Sequence, residues 1–228
     1  GWMMWNWLVS GLATGATLWG DPKNYPWTMG WQPNYQSEAK IFAQETARLR
    51  LPQPLIGFGL TMIGPTVLRF GDEEQKREHI PRIARGEIRW CQGYSEPGAG
   101  SDLAGLQARA VHDGDDYILN GQKVWTSYGD KADWMFTLVR TDTTQKHAGI
   151  TFLLIDMASE GITVKPIRTL AGDYEFNEVI FDSVRVPFAN RVGDENEGWS
   201  VAKHLMRLAR GNNTTSGLLW RAHRKAAQ

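Results

Sequence analysis

Residues 89–102 read Arg89-Trp90-Cys91-Gln92-Gly93-Tyr94-Ser95-Glu96-Pro97-Gly98-Ala99-Gly100-Ser101-Asp102. Gly98 and Gly100, two positions apart, let a backbone reach positive φ and come close to a ligand. Pro97 fixes one φ and removes one N–H, so the turn is stiff. Ser95 and Ser101 flank it with small hydroxyls that both donate and accept. A rigid turn with exposed N–H groups and flanking hydroxyls suits a flat heteroaromatic ring or a phosphate. Composition alone reads the same residues as a proline-glycine loop joining two strands.

On the N-terminal side of this stretch the hydrophobic period is helical. From Ser37, residues Ile41, Phe42, Glu45 and Leu49 recur near every fourth position, until Leu51 to Pro54 breaks the pattern. Leu55 to Phe70 is nearly all apolar. It is shorter than the ~18 residues of a span and Arg69 closes it, so it reads as a buried helix. Gly57, Gly59 and Gly64 would let a neighbouring helix approach. Asp72, with Gln75 three residues on, forms a capping-box pattern. Pro81 is expected to kink or split that helix, and Gly86 to end it.

After Gly86 the period becomes two. Strands are expected over Leu106 to His112, Tyr117 to Leu119, Lys123 to Ser127, Trp134 to Arg140, Gly149 to Asp156, Thr163 to Arg168 and Asn177 to Phe181. Asp113-Gly114 and Asn120-Gly121 read as turns between them. Val186-Pro187 closes the sheet. Glu197-Gly198-Trp199 opens a last helix with Val201, Ala202, Leu205 and Leu208 on one face. Helices, then strands, then a helix make an α+β arrangement, with an antiparallel barrel or sandwich between helical parts, rather than alternating βαβ units. The expected domains are 1–88, helical; 89–192, β; and 193–228, the start of a second helical part.

The totals exclude several function classes. Lys plus Arg equals Asp plus Glu at 25 each, which offers no field for nucleic acid or an anionic membrane. Cys91 is the single cysteine, so no internal disulfide or cysteine zinc site is expected, and a reducing, cytoplasmic setting fits. None of the histidines, His79, His112, His147, His204 and His223, stands at metal-ligand spacing, so no metal is expected. Trp2 to Trp19 carries no charge. Asn6, Ser10, Gly11, Thr14, Gly15 and Thr17 dilute it and no basic flank precedes it, so it is read as neither span nor signal. Asp21 to Pro33 reads as an ordered loop. The start at Gly1 and the helical character of the last residues fit a partial chain.

Three stretches in this order resemble the acyl-CoA dehydrogenase family. They are Trp90 to Asp102; Leu119-Asn120-Gly121-Gln122-Lys123-Val124-Trp125-Thr126-Ser127; and Phe176-Asn177-Glu178-Val179-Ile180-Phe181-Asp182-Ser183-Val184-Arg185-Val186-Pro187. Phe70-Gly71-Asp72-Glu73-Glu74-Gln75-Lys76 agrees as well. The resemblance implies a helical domain, a middle β-domain and a C-terminal four-helix domain, with FAD held between the last two. It implies that Gln92, Tyr94 and Ser95 lie against the flavin ring. Gly100 and Ser101 would approach the phosphates and the acyl-thioester, and Trp125 would wall the isoalloxazine beside Thr126 and Ser127. Arg210 resembles a family arginine near substrate.

The implied reaction dehydrogenates an acyl-CoA across its α–β bond, as in fatty acid metabolism. A carboxylate takes the α-proton while hydride goes to the flavin. The expected partners are acyl-CoA, an electron-transfer flavoprotein and further subunits in a homo- or hetero-oligomer. One family position for the base is occupied here by Ala209, which cannot accept a proton. The other position would lie beyond Gln228, so the chain alone is expected to lack its base. A flavin-dependent oxidase or monooxygenase of the same fold, and a non-catalytic binding or assembly subunit, remain open beside the dehydrogenase. Lys146-His147 reads as a solvated loop, with a hint toward the CoA end. Cys91 reads as a packing residue. Arg207, Arg210, Arg221, Arg224 and Lys225 suit either CoA phosphates or a solvated helix face.

Overall fold

The helical period before Gly86 is realised as helices docked on a curled sheet. The computed structural model describes residues 57–211, with side chains to Ala209. The uncharged 2–19 stretch, the 21–33 loop, the helix expected from Ser37 and the basic residues after 211 lie outside the described residues.

The apolar run expected as one buried helix is built in two pieces. A π-helical turn, Gly59–Ile63, leads into α1, Gly64–Phe70. Pro65 has no N–H to offer the Thr61 carbonyl, which favours the wider winding ahead of it. Only one side is buried: Ile63 and Val67 enter the core, while Leu60 and Leu68 are exposed. Gly59 does allow close approach, since a Cβ there would lie 3.3 Å from Ile83 and from Trp90; a Cβ at Gly57 would meet no described atom within 4 Å.

Helix α2, Glu73–Arg85, begins with the expected capping box. The Gln75 N–H donates to Asp72 Oδ1 at 2.8 Å, and the Asp72 N–H donates back to Gln75 Oε1 at 3.3 Å. Of the kink or split expected at Pro81, the split does not occur: the helix runs on through it. Both ends are fixed, the C-terminal one by Gly86 at φ 70°, and Gln75, His79 and Ile83 form a buried stripe at helical spacing. That packing outweighs the one hydrogen bond Pro81 removes.

Seven strands follow: β1, Trp90–Gly93; β2, Arg109–Asp113; β3, Asp116–Ser127; β4, Trp134–Arg140; β5, Ile150–Asp156; β6, Ile162–Ile167; and β7, Phe176–Pro187. They form one mixed sheet in the order β1-β4-β2-β3-β7-β6, with β5 on the other edge of β4. Its pairs are antiparallel except that β4 runs parallel to β1 and meets β2 in a parallel bridge at Arg109–Arg140. Strands β4 and β5 are buried on both faces, which explains their unbroken apolar runs. Phe136, Leu138, Phe152 and Leu154 join the helix-side core with Ile63, Val67 and Ile83. Met135, Val139, Leu153 and Ile155 join a second core inside the curl, with Tyr117, Leu119, Val179 and Phe181.

Two turn expectations change. Asp113 pairs with Asp116, so the hairpin loop is Gly114-Asp115, one residue later than Asp113-Gly114. Asn120-Gly121 is not a turn at all. Strand β3 runs straight through it, with a register shift against β7 between Leu119 and Gly121. Asn120 Oδ1 accepts from the Ser183 N–H at 2.8 Å, so its side chain serves the partner strand. Gly121, at φ 145°, lies against Ala108, where a Cβ would come within 2.6 Å of Ala108 Cα. Strand β7 also extends well past Phe181, ending at Pro187 as expected.

Helix α3, Gly198–Gly211, buries Val201, Ala202 and Leu205 in the helix-side core. Burial of Val201 and Leu205 contributes about 1.5–3 kcal/mol each. No described helix is long and apolar enough to cross a membrane.

Candidate functional site

Strand β1 leaves the sheet at Gly93, and the chain then reverses tightly. The Glu96 N–H donates to the Ala99 carbonyl at 3.1 Å, and the Ala99 N–H donates to the Glu96 carbonyl at 3.0 Å. Pro97 and Gly98 form the exposed tip, with Gly100 and Ser101 exposed behind it. Neither Gly98 nor Gly100 has positive φ, contrary to expectation. A Cβ at either would instead meet no described atom within 4 Å. The packing of the described residues does not require these glycines.

The second motif is joined to this turn. The Val124 N–H donates to the Ser95 carbonyl at 2.9 Å. The next residue, Trp125, has φ 60° and is 59% exposed, with its indole edge-on to Phe176 at 6.1 Å between ring centroids. A bulky residue in the left-handed region is a costly outlier. It sits at a second register shift in β3, between Lys123 and Thr126. The Thr126 carbonyl accepts from Asn177 Nδ2 at 3.2 Å, while the buried Thr126 Oγ1 finds no partner among the described residues. Ser127 is half-buried.

Ser95, Trp125, Thr126 and Ser127 therefore come together where the turn meets β3. Gln92 is half-buried on β1. Tyr94 turns its ring into the helix-side core, edge-on to Phe136 at 5.9 Å and Phe152 at 6.5 Å. Its hydroxyl is buried without a partner among the described residues, and burial pushes its pKa far up. What Tyr94 presents beside the turn is its carbonyl. Ala209 lies half-buried on α3; Arg210 lies on that helix too, but its side chain is outside the described residues. Lys146 pairs with Asp102 at 2.9 Å on the surface, and His147 lies 5.0 Å from the Trp199 ring. Cys91 is fully buried and burial pushes its thiol up to about 12, the behaviour of an inert packing residue.

Residues 91–184 match the family model "Acyl-CoA dehydrogenase, middle domain", and residues 30–87 match "Acyl-CoA dehydrogenase, N-terminal domain". The chain belongs to the acyl-CoA dehydrogenase family. It is 40% identical over 203 residues to acyl-CoA dehydrogenase IpdE1 of Mycobacterium tuberculosis, covering 89% of this chain and 52% of that protein. Among solved structures, the ChsE4-ChsE5 complex from Mycobacterium tuberculosis is similar with TM-score 0.67 and 40% identity, over 88% of this chain and 50% of that one. The Tcur3481-Tcur3483 steroid ACAD is similar with TM-score 0.69 and 35% identity, over 89% and 51%. This chain of the acyl-CoA dehydrogenase family thus spans about half the length of the relatives it matches.

One pair of residues joining the two motifs was not singled out from the sequence. Lys123 is fully buried and Glu96 nearly so. Lys123 Nζ donates to Glu96 Oε1 at 2.7 Å, to the Leu138 carbonyl at 2.7 Å and to the Tyr94 carbonyl at 3.3 Å. Glu96 also accepts from the Gln107 N–H at 2.6 Å and the Ala108 N–H at 3.0 Å. Burial pushes the Lys123 ammonium down and the Glu96 carboxylate draws it back. The available signal was the period of β3: Lys123 shares parity with the buried Tyr117 and Leu119, ahead of the bulge.

Proposed function

We propose that this chain is the flavin-holding part of an acyl-CoA dehydrogenase that oxidises an acyl-CoA to the enoyl-CoA. The observation that carries the reading is the 2.9 Å bond from the Val124 N–H to the Ser95 carbonyl, which joins the start of the glycine turn to the residue before the exposed Trp125. Those residues fit a flat, phosphate-bearing cofactor. Under this reading the main chain at Gln92, Tyr94 and Ser95 lines the ring of FAD. Trp125 walls it, and Thr126 and Ser127 supply hydrogen-bonding groups. Gly100 and Ser101 admit phosphates and the thioester, and Arg210 attends the substrate. FAD, when bound, supplies the hydride acceptor. The chain's part is to orient the ring and the acyl group and to exclude water.

The domain limits at 88/89 and 192/193, the reducing cytoplasmic setting and an electron-transfer flavoprotein as electron acceptor belong to the same proposal. Ala209 cannot take the α-proton, so the carboxylate comes from another position. Ala209 also favours a second reading, in which this chain is a non-catalytic subunit completing a hetero-oligomer. The two-protein names of both solved relatives support such assembly.

The test titrates the full chain with FAD and then adds CoA thioesters, fatty and steroid-derived, without oxygen. Stoichiometric flavin that bleaches with a thioester supports the dehydrogenase. Flavin that stays oxidised favours the subunit, or an oxidase or monooxygenase acting on another substrate. A chain that takes up no FAD sinks the flavin reading.

A further inference from the structure

A lysine at zero exposure is a costly core residue, because an apolar side chain of similar volume would avoid its desolvation. The reason for it lies in the sheet. Along one edge of β4, the pairing with β1 ends at Thr137, and β2 joins only at Arg140. The Leu138 carbonyl falls in that gap and is taken by Lys123 Nζ. The residues leading into β2 there, Gln107 and Ala108, give their N–H groups to Glu96. The pair thus replaces ladder hydrogen bonds where the chain leaves the sheet to make the glycine turn. The Tyr94 carbonyl, on Lys123, and the Ser95 carbonyl, on the Val124 N–H, tie the start of that turn to the residues just before Trp125.

We infer that Lys123 is a positioning residue: by bridging Glu96, the Tyr94 carbonyl and the Leu138 carbonyl across the gap in the β4 edge, it fixes the Ser95 turn against Trp125. Its effect on FAD rests on the function proposed above; its effect on the backbone does not. Lys123 touches no cofactor and acts through main chain that would.

The test compares Lys123→Met in the full chain with Leu153→Ala, a core variant on β5 whose side chain makes none of the Lys123 or Glu96 hydrogen bonds. The two are brought to the same distance below their melting temperatures. Amide exchange is read over 95–101 and 124–127, together with FAD affinity and the fine structure of the flavin spectrum. The expected result is at least tenfold faster exchange in those two segments in Lys123→Met only. Its FAD affinity falls at least tenfold, against less than threefold in Leu153→Ala. Equal local exchange in the two variants overturns the inference. If the parent takes up no FAD, the flavin reading has failed, and the exchange comparison alone decides. Should Lys123→Met not fold, Glu96→Gln, which keeps the shape of the side chain, takes its place. Faster exchange confined to the two segments then supports the inference, and exchange equal to that of Leu153→Ala overturns it.

Discussion

Trp125 shows how one residue can be held against its own preference. Its φ of 60° is a region that a bulky side chain avoids at a cost of about 1–2 kcal/mol. Bonds from the neighbouring residues hold it on both sides: the Val124 N–H to Ser95 and the Thr126 carbonyl to Asn177. Trp125→Gly removes a largely exposed indole and relieves the backbone, offset by the freedom glycine gains when unfolded. We expect its unfolding free energy to stay within about 1 kcal/mol of the parent by urea denaturation. Under the proposed function, FAD affinity falls at least tenfold in the same variant. A large stability loss with unchanged flavin binding would make Trp125 a core residue. At this scale the motif was readable but side-chain direction was not. Tyr94 stands in the same run as Ser95, yet its ring enters the core, because Phe136 and Phe152 come from strands whose placement no local pattern reveals. Lys123 and Glu96 read as ordinary charges until the curl of the sheet brought them together.

Strand β3 makes the same point for an element. Asn-Gly between alternating residues is a strong hairpin signal, yet here it lies in a continuous strand of 12 residues, opposite a bulge in β7. The local sequence permits both outcomes. β7 decides, because its Ser183 N–H occupies the Asn120 side chain and its pairing with β3 continues on both sides. Gly121→Ala sets a methyl group against Ala108 main chain at an unfavourable φ. We expect a loss of about 2–3 kcal/mol by chemical denaturation. A loss below about 0.5 kcal/mol would mean the bulge is not locked. Helix α2 is the opposite case. Asp72, Gln75 and Gly86 act on their own backbone neighbours, so its ends were readable, whereas its survival through Pro81 depends on packing elsewhere.

For the molecule as a whole, the joint between helices and sheet runs through His79. Its ring lies 5.2 Å from Trp90 and 4.8 Å from Trp134, edge to face, and its Nδ1 has no partner among the described residues. Burial holds its pKa below the ordinary value, against a smaller upward pull from Glu78 and with help from Arg82. The folded chain therefore keeps His79 neutral where the unfolded chain takes up a proton. Stability from this group is present above the unfolded value of about 6.5 and is lost as pH falls below it toward the lowered folded value. His79→Phe keeps an aromatic ring at the joint and removes the proton. We expect its melting temperature to fall less than the parent's between about pH 7 and pH 5. Parallel melting curves for the two proteins would clear His79 of the effect.

The motifs, the order of the described helices and strands, and the capping of α2 were settled by sequence alone. Each depends on residues within a few positions of one another, or on a period that one face of an element imposes. The tertiary structure decided that Asn120-Gly121 continues a strand instead of turning the chain, and where the Tyr94 ring goes. It also placed the charge of Lys123 in the core. Those outcomes are set by strands distant in the chain, whose burial and hydrogen bonds exist only once the sheet has curled.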